Sequence, residues 1–211
     1  MAADAKTVME LRERTGAGVM DCKAALQAAN GNLDEAVEFL RKKGLADAKK
    51  REHRDAKDGL VHAYIHAGAK LGVLIEVNCE TDFVAKTPEF QQLVKDLGMQ
   101  VAAAAPRWVR REEVPATELE GEREIYRKQA LQSGKPEKVL DRIVEGQLDR
   151  FYKDTCLLDQ PFIKQSDRSV GEIVQEAAGR FGENVTVRRF ARFQLGETAA
   201  KENPAGGALG A

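Results

Sequence analysis

The chain has 211 residues, and its 33 lysine and arginine residues are balanced by 34 aspartate and glutamate residues, which gives a formal net charge of −1. Its hydrophobic content of 43% is that of a globular protein and excludes a disordered or fibrous chain. A net charge so close to zero also excludes a strong general attraction to nucleic acid or anionic membranes, so any such binding would be local.

The sequence predicts neither a membrane span nor a disulfide framework. No uncharged run approaches the roughly 20 apolar residues that cross a bilayer, and the start of the chain lacks secretory or transit composition. We therefore expect a cytoplasmic protein. Cys22, Cys79 and Cys156 lack the C-x-x-C spacing of a zinc site, so buried reduced thiols are expected.

Residues 1–46 predict a domain of three short helices, because apolar residues recur there at three- and four-residue spacing. Asn32 with Glu35 is typical of the cap of the third helix, which we expect to end at Gly44. Residues 47–58 follow as a charged linker. Residues 41–57 carry eight basic and three acidic residues, which fits either a nucleic-acid arm or a solvated, partly helical linker. The lack of interleaved aromatic residues favours the linker.

Residues 59–196 predict an α+β core domain. Alternating residues indicate a hairpin with strands at 60–67 and 71–78, and a further strand at 185–195, which together would form one antiparallel three-stranded sheet. Helices should cover its inner face. Four are predicted, beginning at Thr87, at Thr117 with Glu120, at Pro136 and at Ser169. Residues 197–211 should be a flexible tail.

The sequence offers little for catalysis. His62 and His66 have a spacing that brings imidazoles together on a helix, but on a strand they lie about 13 Å apart, so we predict no metal site. No cysteine has the context of an activated thiol. Neither the G-x-x-x-x-G-K-[ST] nor the G-x-G-x-x-G phosphate motif occurs. We therefore predict no enzyme, no catalytic residue and no cofactor.

The connection after the second strand is the most informative segment. It runs from Asn78 to Lys86 and delivers an adjacent Asp82 and Phe83 ahead of the helix that begins at Thr87. Such a pair is expected either of a binding loop on a rigid scaffold or of a phenylalanine that packs under its own helix. The spacing alone leaves both interpretations open.

Two long segments resemble the bacterial translation elongation factor Ts family, in its short form with one core subdomain. They are residues 12–26, which read RERTGAGVMDCKAAL, and residues 76–85, which read EVNCETDFVA. Residues 160–162 and 182–190 are also similar, and the resemblance covers about residues 5–196. It implies that the first domain has the three-helix ubiquitin-associated-like fold.

The resemblance also implies a function. Members bind elongation factor Tu carrying GDP, promote GDP release, hold the nucleotide-free partner and yield when GTP enters. Thr81, Asp82, Phe83 and Val84 would form a wedge that disturbs the magnesium and phosphate site of the partner. The chain would then be a guanine-nucleotide exchange factor of translation elongation.

A second contact is implied for the N-terminal helices, which would dock on the same nucleotide domain through Arg12 and Met20. Val19 departs from the methionine common at that position in the family. A scaffold that binds ubiquitin-like proteins and an RNA-binding translation protein are alternatives, but neither explains both long segments. We predict no direct nucleic-acid contact and no membrane contact.

The resemblance, taken with the length of the chain, implies a homodimer. Longer members of the family have two core subdomains, one with the wedge and one with a Tyr-x-His strand, whereas this chain has room for only one. It nevertheless carries both elements, so we expect one subunit to present Asp82 and Phe83 and the other to present His66. The alternative for Tyr64 and His66 is an ordinary exposed strand face. The open face of the sheet fits a dimer surface.

Overall fold

The structure is a computed structural model that describes residues 4–134 and 136–197. Its helices are α1 Ala5–Thr15, α2 Val19–Ala28, α3 Leu33–Arg51, α4 Asp82–Ala85, α5 Pro88–Ala104, α6 Ala116–Gln132, α7 Glu137–Thr155 and α8 Val170–Phe181. Its strands are β1 Asp58–Ile65, β2 Leu71–Cys79, β3 Pro161–Phe162, β4 Gln165–Ser169 and β5 Thr186–Gln194. The predicted α+β class is confirmed. Within the described ranges, no helix is both long and apolar enough to cross a bilayer.

Helices α1 to α3 pack around a core of their own, in which Leu11 and Leu26 are fully enclosed. Asn32 caps α3, as predicted, because its side-chain oxygen accepts hydrogen bonds from the N–H groups of Asp34 and Glu35. The predicted end of α3 at Gly44 is wrong, since the helix continues to Arg51.

The continuation of α3 has a packing reason. At Gly44 the helix crosses α8 at Gly179, and a Cβ atom on Gly179 would lie 2.8 Å from the carbonyl oxygen of Gly44. The two backbones therefore touch directly, which only glycine permits at this crossing. Gly44 serves a helix contact rather than a helix end.

The three-stranded antiparallel sheet has the order β1-β2-β5, as predicted. Its inner face buries Val73, Ile75 and Val77 against the apolar side of α5, which contributes Phe90 and Leu97. The side chains on the outer face of the sheet are covered by no helix or strand of the described residues. These outer residues are Val61, Ala63, Ile65, Leu74, Ala191 and Phe193, with the Glu76–Arg189 ion pair at one end.

The helix starts in the core were predicted with mixed success. Thr87 caps α5, and Ser169 with Glu172 forms the reciprocal capping box of α8, both as predicted. The predicted cap at Thr117 is wrong, because α6 begins at Ala116, and the Pro115 carbonyl already accepts the first helical hydrogen bonds. The short hairpin β3–β4 and the single turn α4 were not predicted. Residues 198–211 of the predicted tail lie outside the described residues.

Candidate partner-binding site

The tip, residues 81–84, is a short turn fastened at both ends. Thr81 precedes α4, and its hydroxyl oxygen accepts a long hydrogen bond from the N–H of Val84 at 3.5 Å. Thr87 closes the other end, because its hydroxyl donates to the Val84 carbonyl at 2.7 Å and accepts from the N–H of Phe90 at 3.3 Å. The turn is thereby tied to the start of α5, whose Phe90 lies in the core.

Phe83 projects from this turn with 82% of its surface exposed. The neighbouring Ala85 is buried, so the turn has an inner side that anchors it and an outer side that presents the ring. The interpretation that Phe83 packs under its own helix is therefore wrong. Burial of an exposed phenylalanine against a partner would contribute roughly 1.5–3 kcal/mol of binding free energy. Exposed aromatic side chains on an anchored turn are typical of the residues that anchor protein interfaces.

Asp82 places a charge beside the ring. Its carboxylate accepts a hydrogen bond from the Lys86 ammonium group at 2.6 Å, four residues along the chain. This hydrogen bond and the charge of Lys86 hold the pKa of Asp82 below its ordinary value, and Asp82 in turn raises the pKa of Lys86. Both groups are therefore ionised at neutral pH, and both face solvent, where a partner can reach them.

Cys79 supports the tip from below. Its thiol is buried and donates to the Thr81 carbonyl at 3.2 Å. Burial, with a smaller contribution from the charge of Glu183, raises the pKa of the Cys79 thiol to about 11. The thiol stays protonated at neutral pH, so it packs and donates rather than acts as a nucleophile. The burial predicted for Cys22, Cys79 and Cys156 is confirmed.

The other predicted residues lie on separate surfaces. Arg12 is exposed in the last turn of α1, and Met20 is 76% exposed in the first turn of α2. His66 is exposed just after β1, where its Nδ1 atom lies 3.0 Å from the Tyr64 hydroxyl oxygen. The tip follows Cys79, which pairs with Asp58 at the opposite end of β1. His66 and the tip are thus about 25 Å apart along the strand.

The basic run at 41–57 is largely neutralised by carboxylates. Five of its eight basic side chains form ion pairs, which are Arg41–Glu38, Lys43–Asp21, Lys50–Asp47, Arg54–Glu80 and Lys57–Asp55. Residues up to Arg51 belong to α3, so the prediction of a partly helical segment is confirmed. Paired charges on a helix favour the linker over a nucleic-acid arm.

Comparison with known proteins assigns the family. The family model described as "Elongation factor TS" matches residues 1–197. The chain belongs to the elongation factor Ts family. Elongation factor Ts of Moorella thermoacetica is 58% identical over 196 residues, which cover 93% of this chain and 95% of that protein. Elongation factor Ts of Heliobacterium modesticaldum is 57% identical over 197 residues, which cover 93% of this chain and 92% of the relative.

Elongation factor Ts proteins are nucleotide-exchange factors that act with elongation factor Tu in translation elongation. Exchange makes and breaks no covalent bond, so this chain is not a catalyst of covalent chemistry. That function accords with a molecule that exposes an apolar ring next to an ion pair.

Proposed function

We propose that this chain accelerates GDP release from elongation factor Tu by placing Asp82 and Phe83 beside the magnesium and phosphate site of that partner. The observation that carries the proposal is the 82% exposure of Phe83 on a turn that hydrogen bonds hold at both ends. Thr81 and Val84 flank the pair and keep its backbone in place. A rigid aromatic side chain offers a large apolar contact at a small entropic cost.

The energetics of one buried ring are sufficient for a substantial effect. Each tenfold acceleration of GDP release requires about 1.4 kcal/mol of preferential binding to the transition state for release. Full burial of Phe83 supplies roughly 1.5–3 kcal/mol, so this residue alone accounts for about 10- to 100-fold. The ring must be buried more completely as the nucleotide leaves, because uniform binding would not accelerate release.

Asp82 adds an electrostatic component. Its ionised carboxylate, held by Lys86 in the free chain, can compete for groups of the partner that otherwise serve the magnesium ion and the phosphates. Because coupling between two binding sites is reciprocal, a factor that weakens GDP binding is itself weakened by GDP. The chain therefore binds both GDP-bound and nucleotide-free elongation factor Tu, and it binds the nucleotide-free form more tightly.

We further propose that Arg12 and Met20 dock on the same partner domain and that exchange takes place in the cytoplasm without direct nucleic-acid or membrane contact. The exposed side chain of Met20 supports this second contact, because a flexible apolar side chain adapts well to a partner surface. The paired charges of residues 41–57 support the lack of a nucleic-acid arm.

The proposed functional form is a homodimer that buries the outer face of the sheet. Phe193 is 72% exposed and Ile65 62% exposed on the two strands that flank Gly72 of β2, and an apolar patch of this kind favours a protein contact. The occupant is a second copy, because the separation between His66 and the tip then allows two subunits to contact one partner at different places. Two such faces would pack as a sandwich of sheets.

The exchange proposal is tested by the release of fluorescent GDP from purified elongation factor Tu. We expect the wild type to accelerate release and Phe83→Ala to lose about 10- to 100-fold of that acceleration. Ile125→Ala is the matched control, since Ile125 is an exposed apolar side chain on α6. Failure of the wild type to accelerate release would reject the proposed function, and full activity of Phe83→Ala would reject the role of the tip.

The dimer proposal is tested by the mass in solution. We expect the wild type to sediment at twice the chain mass of 23.2 kDa and Phe193→Glu to sediment as a folded monomer. Leu131→Glu, at an exposed apolar position of α6, should remain dimeric. A monomeric wild type, or a dimeric Phe193→Glu variant, would contradict this assignment of the interface.

A further inference from the structure

Three segments that are far apart in sequence meet beneath the tip, and Glu183 lies at their centre. One carboxylate oxygen of Glu183 accepts hydrogen bonds from the backbone N–H groups of Glu80 at 3.0 Å and Thr81 at 3.1 Å. The other oxygen accepts from the Thr81 hydroxyl at 2.6 Å. Glu183 follows Gly182, whose left-handed conformation ends α8 and turns the chain toward the tip.

The same turn is also tied to the end of α3. The Glu80 carboxylate in turn accepts a hydrogen bond from the N–H of Asn184 at 2.6 Å. The buried Asn184 amide group donates to the carbonyls of Glu52 at 3.1 Å and Arg54 at 2.7 Å. The Arg54 guanidinium group lies 3.6 Å from the Glu80 carboxylate. Glu183 and Asn184 thus connect the tip, α8 and the segment that leaves α3.

These contacts act on a part of the backbone that the sheet does not hold. Strand β2 ends at Cys79, so the N–H groups of Glu80 and Thr81 find their acceptor in Glu183 rather than in a neighbouring strand. Hydrogen bonds to an ionised carboxylate are roughly twice as strong as neutral ones. Phe83 is exposed and cannot be fixed by its own packing, so its position depends on the backbone just before it.

We propose that Glu183 is a positioning residue for nucleotide exchange: its carboxylate holds residues 80 and 81 so that Asp82 and Phe83 are presented in the arrangement that binds the partner. Asn184 connects the same turn to the end of α3. The inference rests on the proposed function, since it assigns Glu183 an effect through the tip. Preorganisation of this kind lowers the entropic cost of binding.

The first test compares GDP release promoted by Glu183→Ala and by Glu172→Ala. Glu172 is the matched control, because its carboxylate also accepts a backbone N–H, that of Ser169 at 2.8 Å, but at the other end of α8. We expect Glu183→Ala to lower kcat/KM for release about tenfold, the factor of one charge-assisted hydrogen bond. Glu183→Gln should recover most of it, since its amide oxygen can accept both N–H groups. Equal activity of the two alanine variants would overturn the proposal.

The second test separates positioning from general stability by a double-mutant cycle. If Glu183 acts through Phe83, the loss caused by Glu183→Ala should fall below about twofold in the Phe83→Ala background. An equal tenfold loss in both backgrounds would overturn the proposal. Should Glu183→Ala fail to fold, Glu183→Asp takes its place, because it withdraws the carboxylate by one methylene group and should also lose the coupling.

The third test reads the turn itself in the free protein. In Glu183→Ala, the amide protons of Glu80 and Thr81 should exchange faster with solvent by nuclear magnetic resonance, while those of β2 keep their protection. Unchanged exchange at both amides would overturn the proposed hold whatever the kinetics show. A wild type that leaves GDP release unchanged rejects the proposed function. Normal wild-type release with an unimpaired Glu183→Ala rejects this inference alone.

Discussion

Substitution of Gly179 by alanine places a methyl group where α8 crosses α3. The new Cβ atom would lie 2.8 Å from the carbonyl oxygen of Gly44 and 2.9 Å from its carbonyl carbon and Cα atom. All three are backbone atoms, so no side-chain rotation relieves the overlap. To reach an ordinary contact of 3.4 Å or more, the two helices must separate by about 0.6 Å at this point.

The expected magnitude combines two opposing contributions. Overpacking at a close contact costs about 1–3 kcal/mol. Replacement of glycine by alanine inside a helix returns about 1 kcal/mol. We therefore expect Gly179→Ala to lower the free energy of unfolding by about 1 kcal/mol on balance. Gly146→Ala in α7 is the matched control, because its Cβ atom would meet no heavy atom within 4 Å, and it should raise stability by about 0.5–1 kcal/mol.

The assay is urea unfolding followed by circular dichroism, with both variants and the wild type measured together. We expect opposite signs for the same chemical change at two helical glycines, with a difference of about 2 kcal/mol between them. If Gly179→Ala proves as stable as Gly146→Ala, the direct backbone contact between α3 and α8 does not exist, and the account of why α3 continues past Gly44 fails.

Three substitutions test other buried or capping groups by urea unfolding. Burial raises the pKa of the Cys79 thiol to about 11, so the unfolded chain loses this proton at a lower pH than the folded chain does. As pH rises from 9 to 11, the free energy of unfolding of the wild type should therefore fall by up to about 3 kcal/mol more than that of Cys79→Ala. Equal pH profiles would contradict this. Gln100→Leu should lower the free energy of unfolding by about 2–4 kcal/mol, because the Ile163 N–H and the Gln160 side-chain oxygen lose their partner, and unchanged stability would refute this. Ser169→Ala should lower the free energy of unfolding by about 1 kcal/mol, because α8 loses its N-terminal cap. An unchanged free energy of unfolding would show that the cap is unimportant.

Local patterns were enough to predict most of the elements. The hairpin β1–β2 follows from alternation over two short segments, and the starts of α5 and α8 follow from Thr87 and Ser169, whose hydroxyl groups satisfy backbone N–H groups only a few residues away. Such signals are carried by neighbours in sequence. They fail where a distant residue decides, as at Gly44, whose helical conformation is explained by contact with Gly179.

The residues of the candidate site show the same difference between local and distant signals. The sequence identified Asp82 and Phe83, but it left open whether the ring is buried or exposed, because an apolar residue after a strand fits both. The support of the tip was missed, since Glu183 is separated from Thr81 by 102 residues and its role depends on the end of α8 turning toward β2. The single turn α4 is too short for any periodic signal.

In the proposed mechanism, Phe83 lowers the affinity of elongation factor Tu for GDP. The most direct measurement is the affinity of the chain for nucleotide-free and for GDP-bound elongation factor Tu, each by calorimetry, with the wild type and with Phe83→Ala. Since coupling is reciprocal, the ratio of the two affinities is the factor by which the chain weakens GDP binding. We predict that Phe83→Ala shrinks this ratio by about 10- to 100-fold. An unchanged ratio would contradict the account.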